Sequence, residues 1–352
     1  MYAHPTIKDV ARVAGVHFTT VSMALRGHPS IPAATRERII AAANRIGYQR
    51  NRVFSALSSQ RRNRQEEQFR PRLAYIANRS PASGLIMRPH HRMLIEGARH
   101  RAAELGYELD VLSVEKGYYN SATLHAYLQE HGITGLIIGA FEPDRESVEL
   151  PWSDYSVVKV DSRHMDPASS LVSIDQMNGV LDAFARLRSL GYRRIGLAVG
   201  EKDEEMTDGL HHAGLLLAQS EVPVAERFPP LLFPAGTLMA GAVPLIRAYI
   251  AEHRLDALMC NWTNIRDMVV QAGYACPRQV ACACLCLPRP SPALAGIVSN
   301  LNLVGERAVT LLAAQLRVEQ RGIPAVSSRT YVRGNWCDGD SATPKAKSKR
   351  KS

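Results

Sequence analysis

The sequence lacks the long apolar runs of membrane proteins and the cysteine spacing of disulfide-rich domains. No stretch reaches the roughly 18 consecutive apolar residues of a membrane span, and the opening MYAHPTIKDVARVAG has no apolar signal region. Six cysteines without framework spacing indicate reduced thiols. We therefore expect a cytoplasmic protein without a membrane partner.

Residue groupings typical of enzymes are also missing. The sequence has no phosphate-binding loop, no Ser/His/Asp grouping and no paired carboxylates at a catalytic spacing. We expect neither an enzymatic activity nor a cofactor. With 352 residues, 46% of them hydrophobic, the chain is long enough for two or three domains with buried cores.

Positive charge is concentrated at the N-terminal end. The net charge is +10, and residues 1–72 hold 13 Lys and Arg against 4 Asp and Glu. Five more basic residues lie in the closing KAKSKRKS. A small basic module beside a slightly acidic remainder is the charge pattern of a nucleic-acid-binding protein.

Two short helical patterns open the chain in TIKDVARVAGVHFTTVSMALRG. We predict helices over about 6–14, 18–25 and 33–46, with Gly15 permitting the tight turn between the first two. Three helices joined in this way form a helix-turn-helix unit, whose second helix can enter the major groove of DNA. The side chains expected inside are Val21, Ala24, Leu25, Ile39, Ile40, Ala43 and Ile46, and those expected outside or at the margin are Phe18, Thr19, Ser22 and Met23.

Strands and helices alternate from residue 73 onward, in two similar halves. This pattern predicts two lobes of doubly wound parallel sheet with a cleft between them. The last predicted helix covers about 303–320. We predict a helix-turn-helix head over 1–50, a hinge helix and linker over 51–72, a two-lobed core over 73–340, and a basic disordered tail over 341–352.

The N-terminal residues resemble a known family. TIKDVARVAGVHFTTVSMALRGHPSIPAATRERIIAAANRIGYQRNRVFSAL is similar to the DNA-binding head of LacI/GalR bacterial transcription regulators. SIDQMNG, LRSLGYRRIGLAVG and LVGERAVTLLAAQL match its core more loosely. The resemblance implies a transcription regulator, most simply a repressor, that is a dimer or larger oligomer. It also implies a periplasmic-binding-protein-like core that holds a small-molecule effector.

The resemblance further implies which residues contact double-stranded operator DNA. They are Thr6, Phe18, Thr19, Thr20, Ser22 and Met23 in the head, and Asn51, Phe54 and Leu57 in the hinge helix, where Leu57 is the expected wedge between base steps. The chain departs from the family at His17, which is usually Ser, and at Met23, which is commonly Arg. Met23 has packing against the head as its alternative role, and Phe54 has packing against its dimer mate.

The effector residues implied by the resemblance are Asp161, Asp175, His211, Trp262 and Cys286. His211, Trp262 and Cys286 stand where the family usually has Arg, Asn and Asp, so partners suited to sugar hydroxyls are lost. A cleft of this kind favours a flatter or less polar ligand, or none.

The alternating cysteines of QVACACLC raise another alternative, a metal- or thiol-responsive regulator. Cys282, Cys284 and Cys286 share one face of a predicted strand. Three thiols at strand spacing lie too far apart for one zinc ion, and small apolar core residues are the simpler interpretation. An exported binding protein with the same core would have a signal region and no basic head.

Overall fold

The computed structural model describes residues 7–24, 31–45, 70–79, 84–85, 88–139, 148–161 and 168–345. The chain divides into two compact units, Met1–Phe69 and Arg70–Ser352. No described helix is long and apolar enough to cross a membrane.

The described residues of the first unit form three helices around a small core, as predicted. They are α1 (Ile7–Ala14), α2 (Phe18–Ala24) and α3 (Ala33–Arg45). Each helix buries one apolar side chain completely, namely Val10, Val21 and Ile39. Gly15 joins α1 to α2 with a φ of +64°, a left-handed conformation that other residues adopt only with strain.

The prediction that Ile40 is buried is wrong. Ile40 is 42% exposed, whereas Ile39, Ala42 and Ala43 form the buried face of α3. Residues 39, 42 and 43 fall on one side of a helix, and residue 40 is rotated by about 100° from residue 39. Leu25 and Ile46 lie outside the described residues.

The second unit consists of two parallel-sheet lobes, which confirms the predicted fold class. The strands are β1 (Arg72–Ala77), β2 (Glu108–Ser113), β3 (Gly135–Ile138), β4 (Ser156–Val160), β5 (Ser170–Ile174), β6 (Ile195–Gly200), β7 (Leu231–Phe233), β8 (Ala257–Cys260), β9 (Ala281–Leu287), β10 (Ala295–Val298), β11 (Arg329–Val332) and β12 (Asn335–Cys337). Lobe 1 has the order β11-β5-β4-β3-β1-β2, and lobe 2 has β12-β10-β9-β8-β6-β7 with β12 antiparallel.

Helices cover both faces of each sheet. They are α4 (Pro89–Glu104), α5 (Ser121–Glu130), α6 (Gln176–Ser189), α7 (Glu201–Met206), α8 (Leu210–Ser220), α9 (Met239–His253), α10 (Ile265–Gln271) and α11 (Leu301–Arg317). In lobe 1, α4 and α11 pack on one face and α5 on the other. In lobe 2, α6 and α8 cover one face, and α9 and α10 the other.

The chain passes between the lobes three times, from β5 to α6, from β10 to α11 and from β11 to β12. Lobe 1 is thus completed by α11 and β11 from near the end of the chain. The sequence pattern predicts strands in RLAYIAN, ELDVLSV, ITGLIIGA, YSVVKVD, RRIGLAVG, DALMCN and QVACACL. It therefore missed β5, β7, β10, β11 and β12, of which β7, β11 and β12 lie at sheet edges, and it placed α11 about two residues too late.

The predicted boundary of the disordered tail is also wrong. Ser341 is fully buried, and its hydroxyl donates to the carbonyl oxygen of Cys282 while accepting from the backbone N–H of Ala295. The Tyr192 hydroxyl donates to the carbonyl oxygen of Thr343, and Lys345 forms an ion pair with Asp256. Residues 341–345 therefore belong to lobe 2, because their polar groups find partners there. Residues 346–352 lie outside the described part.

Helices α4 and α11 touch backbone to backbone at two glycines. A Cβ on Gly97 would lie 2.0 Å from the Asn302 carbonyl oxygen, and one on Gly305 would lie 2.1 Å from the Leu94 carbonyl oxygen. Both distances are far below any van der Waals contact. The two glycines therefore set how closely α4 and α11 approach.

We predict that Gly305→Ala destabilises the protein by about 1–3 kcal/mol, because the added methyl must push the helices apart. The helical Gly241 is the matched control, since its nearest neighbour would be a side-chain carbon of Thr237 at 3.6 Å. Gly241→Ala should stabilise by about 0.5–1 kcal/mol. Urea unfolding of both variants measures this, and equal midpoints would contradict the close-contact argument.

Candidate functional sites

The start of α2 is one of the exposed parts of the head. Phe18 is 43% exposed, and its ring centroid lies 4.3 Å from that of His17. The Nδ1 atom of His17 is 2.8 Å from the Thr19 hydroxyl, which keeps Thr19 beside the same turn. The helix thereby offers an aromatic ring and a hydroxyl to solvent, groups that can meet a thymine methyl and a base edge.

Met23 lies further along α2 and is half-buried. Its side chain packs against the head core, as do those of Val13 and Val16. Thr20 is half-buried too. Met23 therefore contributes to packing, while its partial exposure leaves part of the side chain accessible.

Several predicted DNA contacts lie outside the described residues. They are Thr6, Asn51, Phe54 and Leu57. The backbone of Ser22 belongs to α2, but its side chain is not among those described. Their roles stay predictions.

Asp161 ends β4 at the carboxyl edge of the lobe 1 sheet. Its two carboxylate oxygens accept from different partners, Oδ1 from the Ser173 hydroxyl at 2.7 Å and Oδ2 from the His90 Nε2 at 2.7 Å. Burial opposes ionisation of Asp161, but these hydrogen bonds outweigh it, so its pKa lies below the ordinary value. Asp161 is thus held ionised inside the protein's own hydrogen-bond network.

Asp175 occupies the first crossing between the lobes. Its carboxylate caps α6 by accepting from the backbone N–H of Asn178 at 3.1 Å and from the side-chain amide of Asn178 at 2.7 Å. Its own backbone N–H donates to the Val332 carbonyl oxygen at 3.0 Å. Asp175 therefore has a structural role at this crossing.

Trp262 and Cys286 come together at the carboxyl edge of the lobe 2 sheet. The Cys286 thiol donates to the carbonyl oxygen of Asn261, the residue before Trp262. Asp203 accepts from the Asn261 side-chain amide at 2.7 Å and from the Trp262 indole N–H at 3.3 Å. The indole also lies against Phe233, with ring centroids 4.7 Å apart. This edge therefore combines two aromatic rings with a carboxylate.

His211 lies inside α8, paired with a carboxylate from α7. It is only 5% exposed, and its Nδ1 is 2.6 Å from Oε1 of Glu204. The other Glu204 oxygen accepts from the His212 backbone N–H at 3.1 Å. Burial disfavours the charged form of Glu204, but the contact with His211 outweighs it and lowers the pKa below its ordinary value. The pair ties α7 to α8.

The hydrogen bonds described above join each of the five predicted effector residues to residues outside this set, and none of them joins two of the five. The partners that sequence reasoning missed are His90, Asp203 and Glu204. His90 is 71 positions from Asp161, so no local pattern relates the two.

An open depression of about 400 Å³ lies on lobe 2, lined by Glu204, Glu205, Asp208, Gly209, His212 and Leu232. None of the five predicted residues lines it.

The described residues contain no group of three or more His, Cys, Asp or Glu arranged to hold a metal ion. Cys282 and Cys284 are fully buried and pack in the lobe 2 core. That placement agrees with the interpretation of these two thiols as small apolar core residues.

Residues 6–51 match the sequence model of bacterial regulatory proteins of the lacI family. The head is thus similar to the lacI-family domain over residues 6–51. Curated homologues include the transcriptional regulators DegA of Bacillus subtilis (25% identical over 56% of this chain and 55% of the relative) and PtxS of Pseudomonas plecoglossicida (29%, over 56% and 54%). The transcriptional repressor PurR of Photobacterium profundum is 23% identical over 78% of this chain and 80% of the relative.

The chain thus spans about half the length of the first two of these curated relatives. Solved structures extend the likeness in fold to nearly the whole chain. A transcriptional regulator CelR–cellobiose complex matches with a TM-score of 0.57 at 19% identity, over 96% of this chain and all of that one. The lac repressor dimer bound to operator and the anti-inducer ONPF matches with a TM-score of 0.56 at 18% identity, over 97% and 100%.

For the lacI-family head, we predict that Met23→Arg creates a preference for guanine at one position of each half-site. An arginine can bind guanine bidentately, and a good bidentate pair discriminates by about 1–3 kcal/mol. Its aliphatic stem can follow the surface that Met23 now covers. Selection from a randomised site measures the change. Uniform weakening on all sites, together with a lower melting temperature, would assign Met23 to packing alone.

For the core, we predict that Glu204→Gln lowers the free energy of unfolding by about 1–3 kcal/mol near neutral pH, because the buried His211 loses a charged acceptor. The folded-state pKa of Glu204 lies below its ordinary value of 4.5. Its stabilisation is therefore complete above about pH 4.5 and is lost as the pH falls through the folded-state pKa. The exposed neighbour Glu205 is the control, and Glu205→Gln should change stability by less than about 0.5 kcal/mol. Urea unfolding at several pH values tests this, and a pH-independent difference would refute it.

Proposed function

We propose that this protein is a sequence-specific DNA-binding transcriptional regulator, a repressor that works as a dimer or larger oligomer in the cytoplasm. The observation that carries the proposal is the exposed start of α2, with Phe18 and Thr19, on a lacI-family head. Homologues named as transcriptional regulators and repressors support it, as does the solved lac repressor dimer on its operator. In this proposal the hinge residues Asn51, Phe54 and Leu57 contact the minor groove at the centre of the operator.

The proposed effector lies in the cleft between the lobes, near the carboxyl ends of the strands. The solved CelR complex contains cellobiose, but the predicted effector residues of this chain have few free groups for sugar hydroxyls. Both oxygens of Asp161 and one ring nitrogen of His211 already have partners within the protein. The half-buried Trp262 ring, with Asp203 accepting from its indole N–H and the buried Phe233 ring behind it, supports a flat ligand that stacks and donates hydrogen bonds. Asp175 and Cys286 complete the candidate set.

Genome-wide mapping of bound DNA, followed by titration of a recovered site, tests the proposal. A dimer of helix-turn-helix heads should recover a pseudo-palindrome whose half-sites lie in adjacent major grooves. The logarithm of the affinity should fall linearly with the logarithm of the salt concentration, because the basic head displaces counterions from phosphates. A single asymmetric half-site bound at full affinity, or a salt-independent affinity, would contradict the proposal. Genes beside the recovered sites would indicate the chemical class of the effector.

We predict that Phe18→Ala weakens binding to the recovered site by roughly tenfold or more, as expected for a lost contact of about 1–3 kcal/mol. Thermal stability should change little, because the ring is largely outside the core. Ile40 is the matched control, an apolar side chain of the head with 42% exposure that lies on α3. Ile40→Ala should leave the affinity unchanged in fluorescence-anisotropy titrations. Equal effects of both substitutions would contradict the argument that α2 contacts the DNA bases.

A further inference from the structure

The cysteines of lobe 2 form one cluster on the face that α9 and α10 cover. All six are free thiols, and all pack in the same apolar cluster. They are Cys260, Cys276, Cys282, Cys284, Cys286 and Cys337. Within this cluster, the sulfur atoms of Cys276 and Cys282 are 3.6 Å apart.

Cys282 is held rigidly on β9. Its backbone N–H donates to the Ser341 carbonyl oxygen at 2.8 Å, and its carbonyl oxygen accepts from the Ser341 hydroxyl at 2.7 Å. Its side chain is fully buried. Any approach of the two sulfur atoms therefore has to come from Cys276.

Cys276 lies in the turn between α10 and β9, and its thiol also contacts the Ser341 carbonyl oxygen at 3.5 Å. The turn is closed by hydrogen bonds between Ala275 and Gln279 at its exposed side. A disulfide has an S–S distance of about 2.05 Å, so the Cys276 sulfur has to move by about 1.5 Å from its present 3.6 Å. A rotation of its side chain with a small shift of the turn supplies that movement.

The two thiols differ in exposure and in pKa, as an attacking cysteine differs from a resolving cysteine. Cys276 is half-buried, and the hydrogen bond with Cys282, aided by the positive charge of Arg266, lowers its pKa below the ordinary value. The same contact and complete burial raise the pKa of Cys282. The more exposed thiol is thus the one with more thiolate character, which controls reactivity.

We propose that Cys276 and Cys282 form a peroxide-sensitive thiol pair that closes to an intramolecular disulfide. The Cys276 thiolate attacks one oxygen of hydrogen peroxide, the O–O bond breaks, and with one proton the products are a sulfenic acid and water. The Cys282 thiol then attacks the Cys276 sulfur, an S–S bond forms, the S–O bond breaks and a second water leaves. Two thiols are oxidised and one peroxide is reduced. Neither Cys276 nor Cys282 is among the residues proposed to contact DNA or the effector.

Peptide mapping of the reduced full-length protein after treatment with hydrogen peroxide tests the proposal. Trypsin cleaves after Arg278, so Cys276 and Cys282 lie on different peptides that only a disulfide joins. Fragmentation of the joined peptides identifies which cysteine of β9 is linked. We expect one joined pair and a mass loss of about 2 Da from the intact chain, both reversed by dithiothreitol. In Cys282→Ala the reaction should stop at a sulfenic acid on Cys276, which dimedone traps.

Cys337 and Cys260 are the internal controls. Cys337, like Cys276, is half-buried and contacts a backbone carbonyl oxygen, but among the described hydrogen bonds only that of Cys276 also reaches a second thiol. Cys276 should therefore react with iodoacetamide at least about fivefold faster than Cys337 at neutral pH. Cys260→Ala should leave the Cys276–Cys282 link intact, whereas Cys276→Ser should abolish it. A link through Cys284 or Cys286 instead, a link only between molecules, or a Cys276 no more reactive than Cys337 would overturn the proposal.

Discussion

Lobe 1 depends on the contact between α4 and α11, where the backbones of two helices meet at Gly97 and Gly305. Helix α11 follows the second passage of the chain between the lobes, so segments that are far apart in the sequence form one layer over the sheet. Leu94 and Ala98 of α4 pack with Val304 of α11 in a single apolar cluster there. Because the chain returns in this way, neither lobe is a continuous segment, and three crossings connect the two.

The carboxyl edges of the two sheets hold polar side chains in fixed positions. Parallel strands end at a common edge, and there each lobe positions one carboxylate by internal hydrogen bonds, Asp161 in lobe 1 and Asp203 in lobe 2. Such networks hold side chains in place, but they also leave fewer groups for a ligand. The Glu204–His211 pair likewise holds α7 and α8 together by a hydrogen bond within the protein. Of the two aromatic rings at the lobe 2 edge, Phe233 is buried and Trp262 is partly exposed.

The head builds its core from few residues. Its core is too small to bury every apolar side chain of α2, so Val21 and Ala24 face inward while Phe18 stays largely exposed. Met23 lies between these extremes, half in the core and half outside. The first turn of α2 is therefore exposed and can contact another molecule. This first turn is also the part that enters the major groove in helix-turn-helix proteins.

The sequence by itself determined the fold class, the three head helices and most buried strands, because these depend on local periodicity and turn residues such as Gly15. It did not determine the short edge strands β7, β11 and β12, whose few residues pair only with distant segments. Ile40 was misplaced because its neighbours decide which side of α3 is covered. Residues 341–345 looked like part of a basic tail, yet Ser341 is buried, since its hydrogen bonds go to Cys282 and Ala295. The partners of Asp161 and His211, and the proximity of Cys276 to Cys282, were decided by tertiary structure alone, because hydrogen bonds between separate elements leave no periodic signal in the chain.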